Sequence, residues 1–245
     1  RSSAASDVYK RQVVVPPPQM IAHLQAGRID GFCVGEPWCA SAVKQNQGFT
    51  LATTQSIWPN HPEKVLGCTQ AFVDQYPNTA RVLVMAILEA SRFIEQSQEN
   101  RRSTAQLLSA REYLDAPLDC IEPRLLGAYD DGLGNQWQDP HALRFFADGE
   151  VNLPYLCDGM WFMTQFRRWG LLREDPDYLG VARQVQQLDL YRQAATAVGV
   201  PANAQDMRSS LLIDGKIWDG SDPAAYARSF RLHALADLTS RQALR

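Results

Sequence analysis

The sequence predicts an α/β fold with a helix-rich C-terminal part. Three observations predict it. Short apolar runs alternate with short helical segments from Val13 to Thr54. Glycine and proline mark the boundaries between them. From Asp74 onward, apolar residues recur at spacings of three and four. The order strand–helix–strand–helix–strand belongs to a parallel sheet with crossover helices, and short connections fit right-handed units.

Val13 to Val15 reads as a strand closed by Pro16-Pro17-Pro18, since proline cannot continue a central ladder. Gln19 to Ala26 reads as a short helix with Met20, Ile21 and Leu24 on one face, ended by Gly27. Ile29 to Val34 is the central strand. It stops at Gly35 and hands over to a helix from Pro37 to Gln47. Pro37 suits a first helical turn, and Glu36 just before it is favoured by the helix dipole. Phe49 to Thr54 is a further strand, and Lys64 to Thr69 another. Between them lies a loop from Ser56 to Glu63.

A long amphipathic helix opens at Asp74-Gln75-Tyr76-Pro77 and runs to about Gln96, with Val82, Leu83, Ala86, Ile87, Ala90 and Ile94 inward. Glu99 to Ser109 follows, with Ala105, Leu107 and Leu108 inward. Tyr113 to Gly127 is helical in pieces, and Asp130 to Asn135 is a glycine-rich polar loop. Asp158 to Trp169, Tyr178 to Val198 and Pro223 to Leu235 complete the helices.

The 245 residues allow one large domain or two small ones. A net charge of −3 offers no polyanion-binding surface, which argues against direct nucleic-acid contact. No apolar run is long enough to span a bilayer. The five cysteines are odd in number and lack C-x-x-C spacing, so neither a disulfide framework nor a standard zinc site is expected. Buried free thiols are the expectation, and they tilt toward a reducing compartment. Residues 1–12 begin with Arg1 and show no apolar period, so they read as a non-native, adaptor-like leader before a truncated frame. A disordered natural terminus is the alternative. On either reading, any signal peptide lies out of view.

In open α/β sheets, ligands lie beyond the carboxyl ends of strands, where free N–H groups meet the chain. Gly35, Glu36, Pro37 and Trp38 are therefore the first candidate contacts. Enzyme signatures such as H-E-x-x-H, G-x-S-x-G and the phosphate-binding P-loop are absent, so a binding protein rather than an enzyme is expected. Cys33 has no histidine placed beside it by sequence.

Three blocks carry a resemblance. Pro16 to Met20 with Asp30 to Trp38 is the first, and Trp58-Pro59-Asn60-His61-Pro62-Glu63-Lys64 the second. Met160-Trp161-Phe162-Met163 with Arg168-Trp169-Gly170 is the third. Together they resemble the nitrate- and bicarbonate-binding proteins of ABC uptake systems, and their cytoplasmic nitrate-sensor relatives. The resemblance implies an α/β, periplasmic-binding-protein-like (type II) two-lobed fold, incomplete here, whose lobes close on ligand about hinge strands. Residues 13–48 would be the latter part of the second lobe. Residues 49–245 would hold the hinge strand and the return to the first lobe.

The function so implied is a solute-binding protein for nitrate or a similar small oxyanion, nitrite or bicarbonate, serving an ABC permease. The alternative is a cytoplasmic nitrate/nitrite sensor that holds an RNA-binding antiterminator. A thiamine-precursor or sulfonate binder on the same fold is disfavoured by the Gly35 to Trp38 block. Location follows the role: periplasmic or membrane-anchored for transport, cytoplasmic for a sensor.

Glu36 carries the sharpest question. A carboxylate repels an anion unless a cation bridges them, and calcium is the cation associated with the family's bicarbonate binders. Otherwise Glu36 is a helix-start carboxylate. Trp38 either walls the cleft or packs. His61, Thr53 and Thr54 are candidate donors to an anion. His23 and His141 read as exposed or capping. The Met160 to Met163 cluster reads as core. Asp130, Asp131 and Asn135 lack the spacing of a calcium loop and read as a solvated turn.

Overall fold

The computed structural model describes residues 12–139, 143–201 and 203–230. The chain divides into two compact units. One comprises Val15–Asn152 with Gln193–Asn203, and the other Arg1–Val14, Leu153–Arg192 and Ala204–Arg245.

The first unit opens with a 3₁₀ turn, Pro17–Gln19, that runs into α1 (Met20–Gln25). Then come α2 (Trp38–Lys44), α3 (Thr54–Ile57), α4 (Gln70–Gln75), α5 (Pro77–Gln96), α6 (Gln98–Ser109) and α7 (Leu118–Leu125). Pro77 separates α4 from α5, because the residue before a proline is driven out of the helical region; Tyr76 has φ −130° and ψ 55°. Ser97 starts α6 by accepting the Asn100 amide at 3.0 Å.

The core of this unit is built on small against branched residues. Ala105 of α6 meets Ala116 and the Ile121 and Leu125 face of α7, with Trp38, Leu108, Leu114, Leu143 and Phe145 packed around them. Arg101 ties the pieces, donating from Nη1 to the carbonyls of Leu125 (2.8 Å) and Leu143 (2.9 Å). After α7 the chain turns at Gly127, whose φ is +81°; a Cβ there would collide with the Asp139 carbonyl. Strand β1 (Ala128–Asp130) then pairs antiparallel with β2 (Gln136–Gln138), and Tyr129 stacks on Trp137 at 5.3 Å. The Asp130 to Asn135 loop is the turn of this hairpin, held by Asp131 Oδ1 accepting from the amides of Leu133 and Asn135.

The second unit contains α8 (Leu156–Arg168), α9 (Tyr178–Val185), the hairpin β3 (Ser210–Leu211) with β4 (Ile217–Trp218), and α11 (Pro223–Arg228). Helix α10 (Leu188–Ala197) begins in this unit and ends in the other. The helix expected over Tyr178 to Val198 is thus two, broken where Gln186 turns extended (φ −81°, ψ 102°). Leu156, Cys157, Met160 and Thr164 form the buried face of α8, so the methionine cluster is partly core; Phe162 stays exposed. Buried Asp158 receives two hydrogen bonds from Arg208, at 3.1 and 2.9 Å, and Trp218 donates its indole N–H to the Cys157 carbonyl at 3.0 Å. Such pairing is what makes a buried carboxylate tolerable. The part of the Pro223 to Leu235 helix beyond 230 lies outside the described residues, as do His141 and residues 1–11.

The strand expectations are corrected. Val13–Val15, Ile29–Val34 and Lys64–Thr69 form no ladder, and neither does Phe49–Thr54, whose last residue instead begins α3. The described strands form two antiparallel hairpins, not a parallel sheet. An apolar run becomes a strand only when a neighbour completes its ladder. Here Leu51 and Val65 are 88% and 82% exposed, and only the Thr50 amide is tied, to the Asp131 carbonyl at 2.9 Å.

The inward face of α5 is corrected too. Ala80, Leu88 and Ser91 are its buried residues, while Val82, Leu83 and Ile87 are exposed. On α6, Ala105 is buried and Leu107 exposed. The buried-thiol expectation holds for Cys120 and Cys157 but not for Cys33 and Cys68, which are exposed; all five are free. Among the described residues, no helix is long and apolar enough to cross a membrane.

Candidate anion site

The candidate site lies at the start of α2. Pro37 is buried and forms the N-cap, after a cis Glu36–Pro37 peptide, and the helix proper begins at Trp38. Glu36 reaches forward, and its Oε2 accepts the Ala40 amide at 3.0 Å. Its other oxygen, Oε1, accepts from Arg124 Nε at 3.0 Å, across 88 residues of sequence. Arg124 is only 4% exposed. Its remaining nitrogens donate to the carbonyls of Ala128 (2.8 Å) and Asp130 (3.3 Å), and its guanidinium lies 4.4 Å from the Tyr129 ring centre.

These contacts favour the helix-start reading of Glu36 over the calcium one. Both carboxylate oxygens are engaged, one by a helix-start amide and one by a buried cation. Among the described residues, no group of three or more His, Cys, Asp or Glu could hold a metal ion. Glu36 is the helix-start carboxylate of the alternative reading, with an ion pair that no local signal announces.

The neighbours register this charge. Burial first, then the Glu36 charge, push the Cys39 thiol up to about 11 and the Tyr129 hydroxyl up to about 12. Cys39 is therefore a neutral thiol near pH 7 and no nucleophile. Trp38 packs on the Ala105 and Leu125 cluster, as the packed-aromatic alternative expects.

Lys64 is the site residue that was not singled out, although it closes the second motif block. Its Nζ lies 3.9 Å from where a Cβ at Gly35 would stand, which puts the ammonium beside Gly35 in ordinary contact range. The same Nζ contacts Glu63 at 2.7 and 2.9 Å. Both side chains are well exposed, and such a pair is weak enough to exchange. Gly35, Lys64 and the neutralised Glu36 thus come together.

The other candidates do not join them. His61 is half-buried, and its Nδ1 sits 2.8 Å from the Pro62 carbonyl, which makes it a loop brace. Thr54 is exposed. Thr53 caps α3 and lines a groove of about 350 Å³ with Thr50, Gln55, Asp131, Trp137 and Asp139. The Asn135 side chain and the Leu133 amide hold the Asp131 carboxyl below its ordinary value, so it stays charged. An oxyanion in that groove would face two carboxylates, which disfavours Thr53 as its donor. His23 lies half-buried in the last turn of α1.

A small polar corner with one lysine, a helix start and a packed aromatic is the equipment of a ligand-binding protein. Comparison with known proteins gives the same class. The NMT1-like family matches residues 5–109. The nitrate/nitrite binding protein NrtA of Nostoc sp. is 37% identical over 89% of this chain and 50% of its own length. The nitrate import ATP-binding protein NrtC of Synechocystis sp. is also 37% identical, over 89% of this chain and 32% of its own. The crystal structure of the periplasmic nitrate-binding protein NrtA from Synechocystis PCC 6803 superposes with a TM-score of 0.83 at 34% identity, over 90% of this chain and 58% of that one. The chain spans about half the length of the binding proteins it matches. Its fold is that of a periplasmic-binding-protein-like (type II) protein, matched in part. Over the part they share, the chain is similar to nitrate- and bicarbonate-related proteins of ABC uptake systems.

Proposed function

We propose that the chain forms part of a solute-binding protein for a small oxyanion, nitrate foremost, that serves an ABC permease. The observation that carries this reading is the Lys64 ammonium beside Gly35, next to a carboxylate already neutralised by Arg124. The exposed Lys64 ammonium, released from its weak pair with Glu63, would supply the charge that nitrate needs without a metal bridge. Residues 49–54 remain our proposed hinge, with residues 13–48 in the second lobe and the rest returning to the first.

Calorimetric titration of the chain with nitrate, nitrite and bicarbonate, each with calcium and with chelator, tests this. Nitrate should bind in chelator, and Lys64→Gln should weaken it roughly tenfold or more, as loss of a charge-assisted contact implies. Unchanged affinity in Lys64→Gln, or binding of bicarbonate alone and only with calcium, would refute the proposal.

A second reading has support in the comparisons. The stretch that matches NrtA also matches a third of an ATP-binding protein, so a sensing module attached to an ATPase is the competing role. A sensor that holds an antiterminator would use the same site. Reading the DNA adjoining this frame separates them: a secretory signal means transport, and a nucleotide-binding segment means the ATPase-linked module.

A further inference from the structure

Arg124 is the most buried cation near the corner, and nothing in its own stretch of sequence explains it. The Glu36–Arg124 side chains are 25% and 5% exposed, so the pair is largely withdrawn from water. All three guanidinium nitrogens are engaged, which fixes the charge in place rather than leaving it to meet a ligand. One residue away from Glu36, Gly35 faces the exposed Lys64 ammonium. With the pair intact, the charges left at the corner are the Lys64 ammonium and the Glu63 carboxylate, an exposed pair weak enough to yield the ammonium to an anion. Without Arg124, Glu36 would add an uncompensated negative charge beside them.

We infer that Arg124 is a positioning residue that neutralises Glu36, and so sets the corner beside Gly35 to take a monovalent oxyanion without a divalent cation. The inference rests on the binding reading above. It makes a general prediction about charge: the absolute presence of Arg124 matters less than the sum of charges at Glu36 and position 124.

The test compares the full chain with Arg124→Met, Arg124→Lys and the double variant Arg124→Met/Glu36→Gln. Nitrate titration is done in chelator and again with calcium. In chelator, Arg124→Met should weaken nitrate roughly tenfold or more, the effect of one uncompensated charge nearby. Calcium should recover part of that loss in Arg124→Met and do nothing for the unsubstituted chain. Arg124→Lys, which keeps the charge, should retain most of the affinity. The double variant should recover it in chelator, although the carbonyls of Ala128 and Asp130 have lost their donor.

A second readout follows the charge without any ligand. Cys39 senses both Glu36 and Arg124, so its alkylation rate at fixed pH, measured with exposed Cys33 and Cys68 replaced by serine, should fall in Arg124→Met and return in the double variant. A purely mechanical clamp predicts the opposite for the double variant: no recovery in either readout. That result, or wild-type affinity in Arg124→Met, overturns the inference while leaving the binding proposal standing. Failure of the unsubstituted chain to bind any oxyanion overturns both. Should Arg124→Met not fold, tight binding by the folded double variant in chelator supports the inference, and its failure to bind overturns it.

Discussion

Replacing Glu36 by glutamine keeps the shape and removes the charge, leaving Arg124 buried without its counter-ion. Breaking one side of a largely buried pair costs more than losing a helix-start carboxylate. The expected destabilisation of Glu36→Gln is about 2–3 kcal/mol, against less than about 1 kcal/mol for the dipole effect alone. Urea unfolding measures it, and a change under about 1 kcal/mol would show that water already shields the pair. At the same scale, Lys64 and Arg124 were legible to different degrees. Lys64 lies in a motif block and only its proximity to Gly35 was hidden. Arg124 lies 88 residues from its partner, and no spacing rule reaches that far.

Single helices carry the next set of expectations. Glu95, near the end of α5, accepts the amides of Phe145 (2.6 Å), Phe146 (2.8 Å) and Ala147 (2.9 Å). Burial works to raise its carboxyl, but the Phe146, Ala147 and Phe145 amides and the Arg144 charge outweigh it and hold the group below its ordinary 4.5. A carboxylate depressed in the folded state stabilises fully above its unfolded value, and that share is lost as pH falls through the lower, folded value. The unfolding midpoint should therefore drop below about pH 4.5, and Glu95→Gln should flatten that acid limb. In the same variant, hydrogen exchange at Phe145 to Ala147 should quicken near pH 7; unchanged protection would mean other contacts hold the segment. The cap of α6 gives a simpler number. Ser97→Ala should cost about 1 kcal/mol, read from the thermal midpoint.

At the scale of the molecule, the exposed apolar residues set the expectation. Leu51, Val65, Val82, Leu83 and Ile87 are all at least 40% exposed, along extended segments and on α5. Unpaired extended backbone beside apolar side chains is a template for association. The 245-residue chain alone should associate as its concentration rises, which light scattering coupled to size-exclusion chromatography measures. A sharp, concentration-independent monomer would count against this. The runs around Leu51 and Val65 also explain why the parallel sheet was expected. Their local pattern is that of strands, but the ladder that makes a strand is a pairwise property.

By itself, the sequence determined most of the long helices and several of their ends. Pro77 opens α5 and the helix after it ends at Ser109, as read from the sequence, because such ends rest on backbone geometry within a few residues. Resemblance in the motif blocks pointed to the nitrate-related proteins that the chain also matches over part of their length. Tertiary structure alone decided which α5 face is buried, which apolar runs pair, and what Glu36 does. Those outcomes depend on partners far away in sequence: α6 and α7 packing on Ala105, an absent ladder neighbour, and the Arg124 guanidinium that turns a candidate metal ligand into half of an ion pair. A charge can be read from one residue, but its effect on a ligand depends on the charges folded against it.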